Sequence, residues 1–194
     1  DEGFSDFFSN LFGQSGKSSR GGRKTQFRGQ DIEASMELPL SAAYRTHQQT
    51  FSVNGKNIRI TIPAGIEDEQ KIKLGGHGGP GVNGGPNGDL YITFHVVNDT
   101  PYQRIGNDLH RKIEIDLYTA LLGGDTTVET MDGKVKLKVA HGTQPGTKVR
   151  LKGKGFPVYK QEGQFGDFFV EYQVKLPTQL SPEQIELVKK LASL

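Results

Sequence analysis

The sequence contains the same pattern of turns and strands twice. In the first copy the hairpin turn Asn54–Lys56 precedes Ile58–Ile62, where isoleucines alternate with polar residues. In the second copy the turn Asp132–Lys134 precedes Val135–Val139, which alternates in the same way. Alternation with a period of two is typical of a half-buried β-strand, and glycine in such turns adopts the positive φ that other residues avoid. The repeat therefore predicts two tandem copies of one small β domain.

The correspondence between the copies extends to the loops and the last strand. Gly65 and Gly142 stand 77 residues apart, and Gly88–Ile92 recurs as Gly166–Val170. This period exceeds the roughly 20–50 residues of solenoid repeats. We expect an all-β fold of two tandem small β-sandwich domains with short helical turns and a C-terminal helix. The expected bounds are 1–29 for a Gly/Phe and basic linker that is largely flexible, 30–100 for the first domain, 101–177 for the second and 178–194 for the helix.

Two helical segments are expected besides the strands. Ser41–Arg45 suits a single helical turn with Ser41 as its cap. Near the C-terminus, Ser181 is a cap, Pro182 takes the first helical position and Gln184 completes a capping box. A terminal helix of about a dozen residues frays unless its apolar stripe is buried, against its own domain or another copy of the chain. The residues of that stripe are Ile185, Val188, Leu191 and Leu194.

Composition and motifs argue against an enzyme. The 194-residue chain has a net charge of +2 and no cysteine, which excludes disulfides, thiol catalysis and cysteine zinc sites. No apolar run reaches the roughly 20 residues that span a bilayer. The five histidines show no metal-ligand spacing, and Asp89 and Asp167 each follow glycine, which indicates turn residues. Gly76–Gly81 matches a dinucleotide-binding pattern, but no helix follows it. We therefore expect no catalytic residue, no metal site and no cofactor.

A basic segment precedes the first copy. Residues 14–29 are rich in glycine and serine and contain basic but no acidic residues. We interpret this segment first as a solvated linker and second as a flexible tail that contacts DNA phosphates without sequence preference. The candidate DNA contacts are Lys17, Arg20, Arg23, Lys24 and Arg28.

Several short motifs mark the ends of the predicted strands. They are Leu38–Ser41, Ile62–Gly65, Gly88–Tyr91, Asn107–Leu109, Ala120–Gly124 and Thr130–Gly133. Together they resemble the C-terminal substrate-binding region of the J-domain (DnaJ-like) co-chaperone family, and Gly3–Phe8 resembles the linker after its J domain. The sequence contains no His-Pro-Asp tripeptide and no cysteine-rich repeats. It is thus similar to the zinc-free class without its J domain, and most similar to the bacterial curved-DNA-binding subgroup.

The resemblance implies a homodimer formed through the C-terminal helix. It also implies a shallow apolar groove on the first domain, which binds extended segments of unfolded clients. The co-chaperone so implied delivers these clients to a seventy-kilodalton heat-shock chaperone. The implied location is the cytoplasm, or the nucleoid if DNA is bound, and no membrane is involved. The groove residues so implied are Met36, Leu38, Phe51, Val53 and Tyr102. Because residues at i and i+2 of a strand usually point into a core, the alternative is that these five residues are core residues.

Overall fold

The computed structural model describes residues 25–194, which form eleven β-strands and three helices. In chain order these are β1 (Ile32–Pro39), α1 (Leu40–Ala43), β2 (His47–Val53), β3 (Lys56–Ile62), β4 (Gln70–Leu74), β5 (Leu90–Val97), β6 (Gln103–Ile105), β7 (Asp108–Asp116), α2 (Leu117–Leu122), β8 (Gly124–Thr130), β9 (Gly133–Val139), β10 (Lys148–Leu151), β11 (Phe168–Lys175) and α3 (Pro182–Ala192). The predominance of small sheets, together with the C-terminal helix, confirms the predicted fold class.

The two copies share one strand order. The first copy forms a sheet in the order β4-β5-β1, and the second forms a sheet in the order β10-β11-β7 with β6 added at its edge. In the second sheet β11 runs parallel to β7 and antiparallel to β10. Each copy also has a two-stranded hairpin, β2-β3 or β8-β9. The sequence did not predict β6, because three residues are too few to show an alternating pattern.

The described chain divides into two compact units. One comprises the described residues up to Ile32 together with Lys73–Leu90, and the other comprises Glu33–Ile72 and Tyr91–Leu194. In the first unit the glycine-rich loop between β4 and β5 is held to the residues before β1 by backbone hydrogen bonds. They include a reciprocal pair between Phe27 and Val82 of 3.1 and 2.9 Å. The expected domain bounds at residues 30, 100 and 177 follow the sequence repeat rather than this division. They stay a prediction.

In the first copy, Asp89 connects the start of β5, the glycine-rich loop and the edge strand β4. Oδ1 of Asp89 accepts the Gly76 N–H at 3.0 Å, and Oδ2 forms ion pairs with Arg28 at 2.7 Å and Lys73 at 2.9 Å. The N–H of Asp89 donates to Oδ1 of Asp31 at 2.7 Å. The N–H of Gly76 and then the ammonium group of Lys73 hold the pKa of Asp89 below its usual value.

The second copy repeats this arrangement around Asp167. Oδ1 of Asp167 accepts the Gly153 N–H at 2.9 Å, Oδ2 accepts Nε–H of Arg150 at 2.6 Å, and the Asp167 N–H donates to Asp108 at 2.7 Å. The N–H of Gly153 and then Arg150 lower the pKa of Asp167. Just before it, a Cβ on Gly166 would lie 2.0 Å from a backbone oxygen, so only glycine fits there. Each aspartate thus binds a glycine amide of a nearby turn, although neither lies in a turn itself.

Helix α1 begins differently from the prediction. Its N-cap is Pro39, which makes no side-chain capping hydrogen bond. Ser41 instead donates its N–H to Oδ1 of Asp99 at 2.9 Å, so a carboxylate from beyond β5 satisfies this amide. The hydrogen bond from the Ser41 hydroxyl, and then that from its N–H, lower the pKa of Asp99. The prediction that Ser41 caps the helix is therefore wrong.

Within the second unit, an arginine joins residues of the two sequence copies. Arg104 of β6 donates to the carbonyl oxygens of Ile66 at 2.6 Å and Gly65 at 3.1 Å. Its guanidinium carbon lies 4.0 Å from the ring centroid of the buried Phe156. Burial lowers the pKa of Arg104. The carbonyl oxygens and the ring partly compensate the desolvation of this charge.

The central strands of the two copies carry matched core residues. Phe94 of β5 is 1% exposed and Tyr172 of β11 is 2% exposed. The two residues hold equivalent positions on their strands. The Glu69 N–H donates to the Phe94 carbonyl, and the Gly146 N–H donates to the Tyr172 carbonyl. The Tyr172 hydroxyl is buried and has no hydrogen-bond partner in the described part of the chain. This orphaned hydroxyl should cost stability.

We expect Tyr172→Phe to raise the free energy of unfolding by about 1 kcal/mol, because it removes a buried polar group without a partner. The reciprocal change Phe94→Tyr should lower it by about 1–3 kcal/mol, because it adds a hydroxyl at the equivalent buried position. Urea unfolding of both variants measures the two changes. A less stable Tyr172→Phe variant would show that the hydroxyl has a partner.

We also expect the Asp167 carboxylate to make stability depend on pH. Its pKa is lower in the folded chain than the roughly 3.9 of an unfolded chain, so its contribution is present above that value and is lost as pH falls through the folded pKa. The urea midpoint of Asp167→Asn should be lower than wild type at pH 7, and the two midpoints should converge toward pH 2. Glu162→Gln, in an exposed turn, is the control. A constant difference between Asp167→Asn and wild type at every pH would contradict this expectation.

Candidate functional site

Four of the five predicted groove residues are almost fully buried. The exposed fractions are 9% for Met36, 1% for Leu38, 9% for Val53 and 6% for Tyr102, whereas Phe51 is only half-buried. The four side chains therefore contribute to the core in this conformation, as the alternative allowed. Their participation in a groove stays a prediction.

Phe51 belongs to an apolar pair near the end of the β2-β3 hairpin. In the hairpin register it lies directly opposite Ile58, and both side chains are half-buried. They share their face of the hairpin with the buried Val53 and Ile60. This face of the hairpin is thus partly open to solvent at Phe51 and Ile58. An apolar side chain of another molecule could be buried against them.

Each of the two sheets of the first copy has two outer strands with an edge that lacks a partner in the described residues, and β1 and β2 are two of these four strands. β1 pairs with β5 alone, and β2 pairs with β3 alone. The second copy differs, because β6 pairs with β7 over Asp108–His110, on the edge that corresponds to the open edge of β1. An unpaired edge presents backbone N–H and C=O groups to which an extended chain can add. Within residues 25–194 the edge lacks a partner along the whole of β1, whereas the corresponding edge of β7 lacks one only along part of the strand.

Tyr102 has its contacts with the second copy. Its ring packs edge-on against Phe168 with the centroids 5.4 Å apart, and its hydroxyl donates to the Glu129 carbonyl at 2.9 Å. Arg111 lies 5.6 Å from the ring centroid, and burial raises the pKa of the Tyr102 hydroxyl. These contacts do not favour the predicted role of Tyr102 at the end of a client groove.

The apolar stripe on α3 is open to solvent. The helix has the predicted capping box: Ser181 Oγ accepts the Gln184 N–H at 3.2 Å, and Gln184 Oε1 accepts the Ser181 N–H at 2.8 Å. None of its residues is buried. The exposed fractions are 41% at Ile185, 48% at Val188 and 64% at Leu191, and 99% at Leu194, which lies beyond the end of the helix. Within residues 25–194 this stripe therefore remains uncovered.

A second exposed apolar surface lies in the same unit, at α2 and the end of β11. We call it the α2 patch, and it consists of Tyr118, Leu121, Leu122 and Leu176, each 47–79% exposed. Tyr118 and Leu176 also line a cleft of about 490 Å³. Leu121 and Leu122 belong to one of the motifs at the strand ends, but the sequence did not predict that they are exposed. The helical turn is too short for periodicity to separate a buried face from an open one.

The structure bears on only one of the predicted DNA contacts. Lys17, Arg20, Arg23 and Lys24 lie outside the described residues. Arg28 forms ion pairs with Asp31 at 2.9 Å and Asp89 at 2.7 Å, an intramolecular role that the sequence did not predict. Contact of these residues with DNA stays a prediction.

The described residues bring together one set of side chains that sequence spacing missed. Asp68, Glu69 and His95 place their oxygen and nitrogen atoms within 4.8 Å of one another. The acidic pair and the histidine are separated by β4, a long loop and most of β5, so no local motif could indicate the cluster. In residues 25–194 no helix is both long and apolar enough to cross a membrane.

Comparisons with known proteins agree with this fold. Residues 32–177 match the family model described as DnaJ C terminal domain. Proteins named Chaperone protein DnaJ from Caldicellulosiruptor saccharolyticus and a Geobacillus species are 43% and 46% identical over 139 residues, which are 72% of this chain and 36% of each relative. The protein of that name from Rhodopseudomonas palustris is 42% identical over 170 residues, 87% of this chain and 43% of the relative. The chain thus spans less than half the length of these curated relatives. Since the family model covers well over half of the chain, the protein belongs to the DnaJ C terminal domain family.

Proposed function

We propose that the first copy binds extended apolar segments of unfolded proteins along the open edges of β1 and β2. The observation that carries the proposal is the half-buried Phe51–Ile58 pair on the hairpin that has one of these edges. Family membership supports a chaperone role that involves substrate binding, and it confirms the prediction that the chain is not an enzyme. That clients bind at these edges and against this apolar pair is our inference.

The binding mode follows from the chemistry of a strand edge. A client segment pairs its backbone with β1 or β2, which requires no particular client sequence. Its apolar side chains cover Phe51 and Ile58, while Met36, Leu38 and Val53 support the pocket from within the core. Each buried apolar side chain contributes on the order of 1–2 kcal/mol before the cost of ordering the client is subtracted. Binding is therefore weak and reversible, as release of clients requires.

We further propose that the protein is a homodimer held through α3. An 11-residue helix is marginally stable alone, and every residue of its apolar stripe is exposed in the single chain. The α2 patch supplies a second apolar surface that a partner subunit can cover. A two-fold dimer with two client sites holds one unfolded chain bivalently, which raises its apparent affinity without new contacts.

The proposed partner is a seventy-kilodalton heat-shock chaperone, to which the client is delivered. The relatives that carry the DnaJ name are more than twice as long as the regions they share with this chain. Delivery would require the J domain, whose His-Pro-Asp tripeptide is not in this sequence. Under this proposal the described residues hold the client, and a J domain engages the partner.

Binding of DNA without sequence preference is the second candidate function. It is based on the five basic residues between positions 17 and 28 and on the resemblance to the curved-DNA-binding subgroup. Arg28 would have to leave its ion pairs with Asp31 and Asp89 to contact a phosphate. Client binding has support from residues of the fold itself, so we rank DNA binding second.

We expect Phe51→Ser to weaken capture of a chemically denatured, fluorescently labelled protein about five- to thirtyfold, because roughly 1–2 kcal/mol of apolar burial is lost. Fluorescence anisotropy at equal dimer concentration measures the change. The melting temperature should fall only slightly, since Phe51 is half-buried.

Val128→Ser is the matched control for this experiment. Val128 holds the equivalent hairpin position in the second copy and is 1% exposed. Its loss should lower the melting temperature by several degrees without weakening capture by the folded fraction. Should Phe51→Ser behave like Val128→Ser, Phe51 belongs to the core and the groove lies elsewhere.

We expect a chain that ends at Pro177 to sediment as a monomer, because it lacks α3 and its apolar stripe. Leu191→Asp should have the same effect with the helix still present, since a charge at a buried contact lacks compensation. Glu186→Gln, on the polar side of α3, is the control. Sedimentation velocity at micromolar concentration measures all four proteins, and a wild-type chain that is already monomeric there would exclude the dimer.

A further inference from the structure

A histidine and two carboxylates converge on the surface of the second unit. Asp68 and Glu69 lie in the turn before β4, and His95 lies on β5. Nδ1 of His95 is 2.7 Å from Oε1 of Glu69, and the potential ligand atoms of all three residues lie within 4.8 Å of one another. The side chains of His95 and Glu69 are 43% and 68% exposed, so an ion from solvent can reach them.

The second copy shows that the fold does not require these three side chains. The same turn there contains Pro145 and Gly146, and Gln173 takes the place of His95. The backbone is nevertheless the same, because Glu69 N–H donates to the β5 carbonyl at 2.8 Å and Gly146 N–H donates to the β11 carbonyl at 2.7 Å. All three ligating groups are therefore specific to the first copy.

A hydrogen bond positions the Asp68 carboxylate, and an unusual backbone conformation positions the Glu69 carboxylate. Asp68 Oδ1 accepts the Val96 N–H at 2.8 Å, which orients this carboxylate toward β5 and leaves Oδ2 able to ligate. Glu69 adopts φ of +61°, where the second copy has glycine at +85°. A residue other than glycine in this region is uncommon, and here it brings a carboxylate beside the imidazole. The ligating groups are thus positioned before an ion arrives.

We propose that Asp68, Glu69 and His95 form a surface site for one divalent transition-metal ion. Imidazole and carboxylate ligands suit Zn²⁺, Ni²⁺ and Co²⁺, whereas Mg²⁺ and Ca²⁺ prefer oxygen ligands alone. The two carboxylates carry opposite charge to the ion and offset its desolvation. Three protein ligands leave a coordination position for water or for a donor group of another molecule. A bound ion links the turn before β4 to β5.

Isothermal titration with Zn²⁺ on the tag-free chain at pH 7.5 tests the site. We expect one saturable site in the wild type and a Kd weakened by about tenfold or more in each variant that lacks a ligand. His95→Gln and Glu69→Gly reproduce the residues of the second copy, so both should fold. His141→Gln, which removes an exposed imidazole elsewhere, should leave the Kd unchanged.

The imidazole NMR signals of the same sample locate the ion. On addition of Zn²⁺ the His95 signals should shift or broaden at one equivalent, before those of His47, His77, His110 and His141. Urea unfolding without metal checks that the variants fold. Equal Zn²⁺ affinity in wild type and His95→Gln, or no saturable binding up to about 1 mM Zn²⁺, would overturn the proposal.

Discussion

One aspartate carboxylate in each copy connects parts of the chain that local structure alone would leave separate. Asp89 and Asp167 directly precede the central strands, and each binds a glycine N–H in the loop and a basic side chain. A glycine-rich loop has little side-chain packing to fix it, and its amides need partners. The carboxylate satisfies one of these amides and aligns the first residue of the strand. Because the central strand pairs with neighbours on both sides, its starting point sets the register of the whole sheet.

Local sequence patterns were sufficient for most strands, and distance in the sequence explains most of the failures. Alternation and turn glycines depend on neighbouring residues, and the repeat made each strand visible twice. Ser41 was assigned wrongly because its partner, Asp99, lies beyond β5. The role of Arg104 as a link between the copies is likewise absent from any local pattern, since its acceptors are Gly65 and Ile66. Contacts of this kind depend on the folded chain.

The candidate client site shows a different limit of sequence reasoning. Apolar residues at i and i+2 lie on one strand face, but the same pattern describes a core and a groove. Only the structure separates the half-buried Phe51 from the buried Leu38. For α3 the helical period predicted an apolar stripe correctly, yet no pattern in one chain identifies what covers it. The sequence therefore predicts surfaces better than it predicts their partners.

The outer edges of the two sheets are protected by charge. β4 contains Lys71 and Lys73, and β10 contains Lys148 and Arg150, at the end of each sheet opposite β1 or β6. Charged side chains on an edge strand must be desolvated when another strand pairs with it, so they oppose the edge-to-edge pairing that leads to aggregates. An open strand edge also exposes a protein to polymerisation with its own copies. In the first copy, the charged edge of β4 lies at the end of the sheet opposite the open edge of β1, and this asymmetry disfavours pairing of such sheets into one continuous sheet.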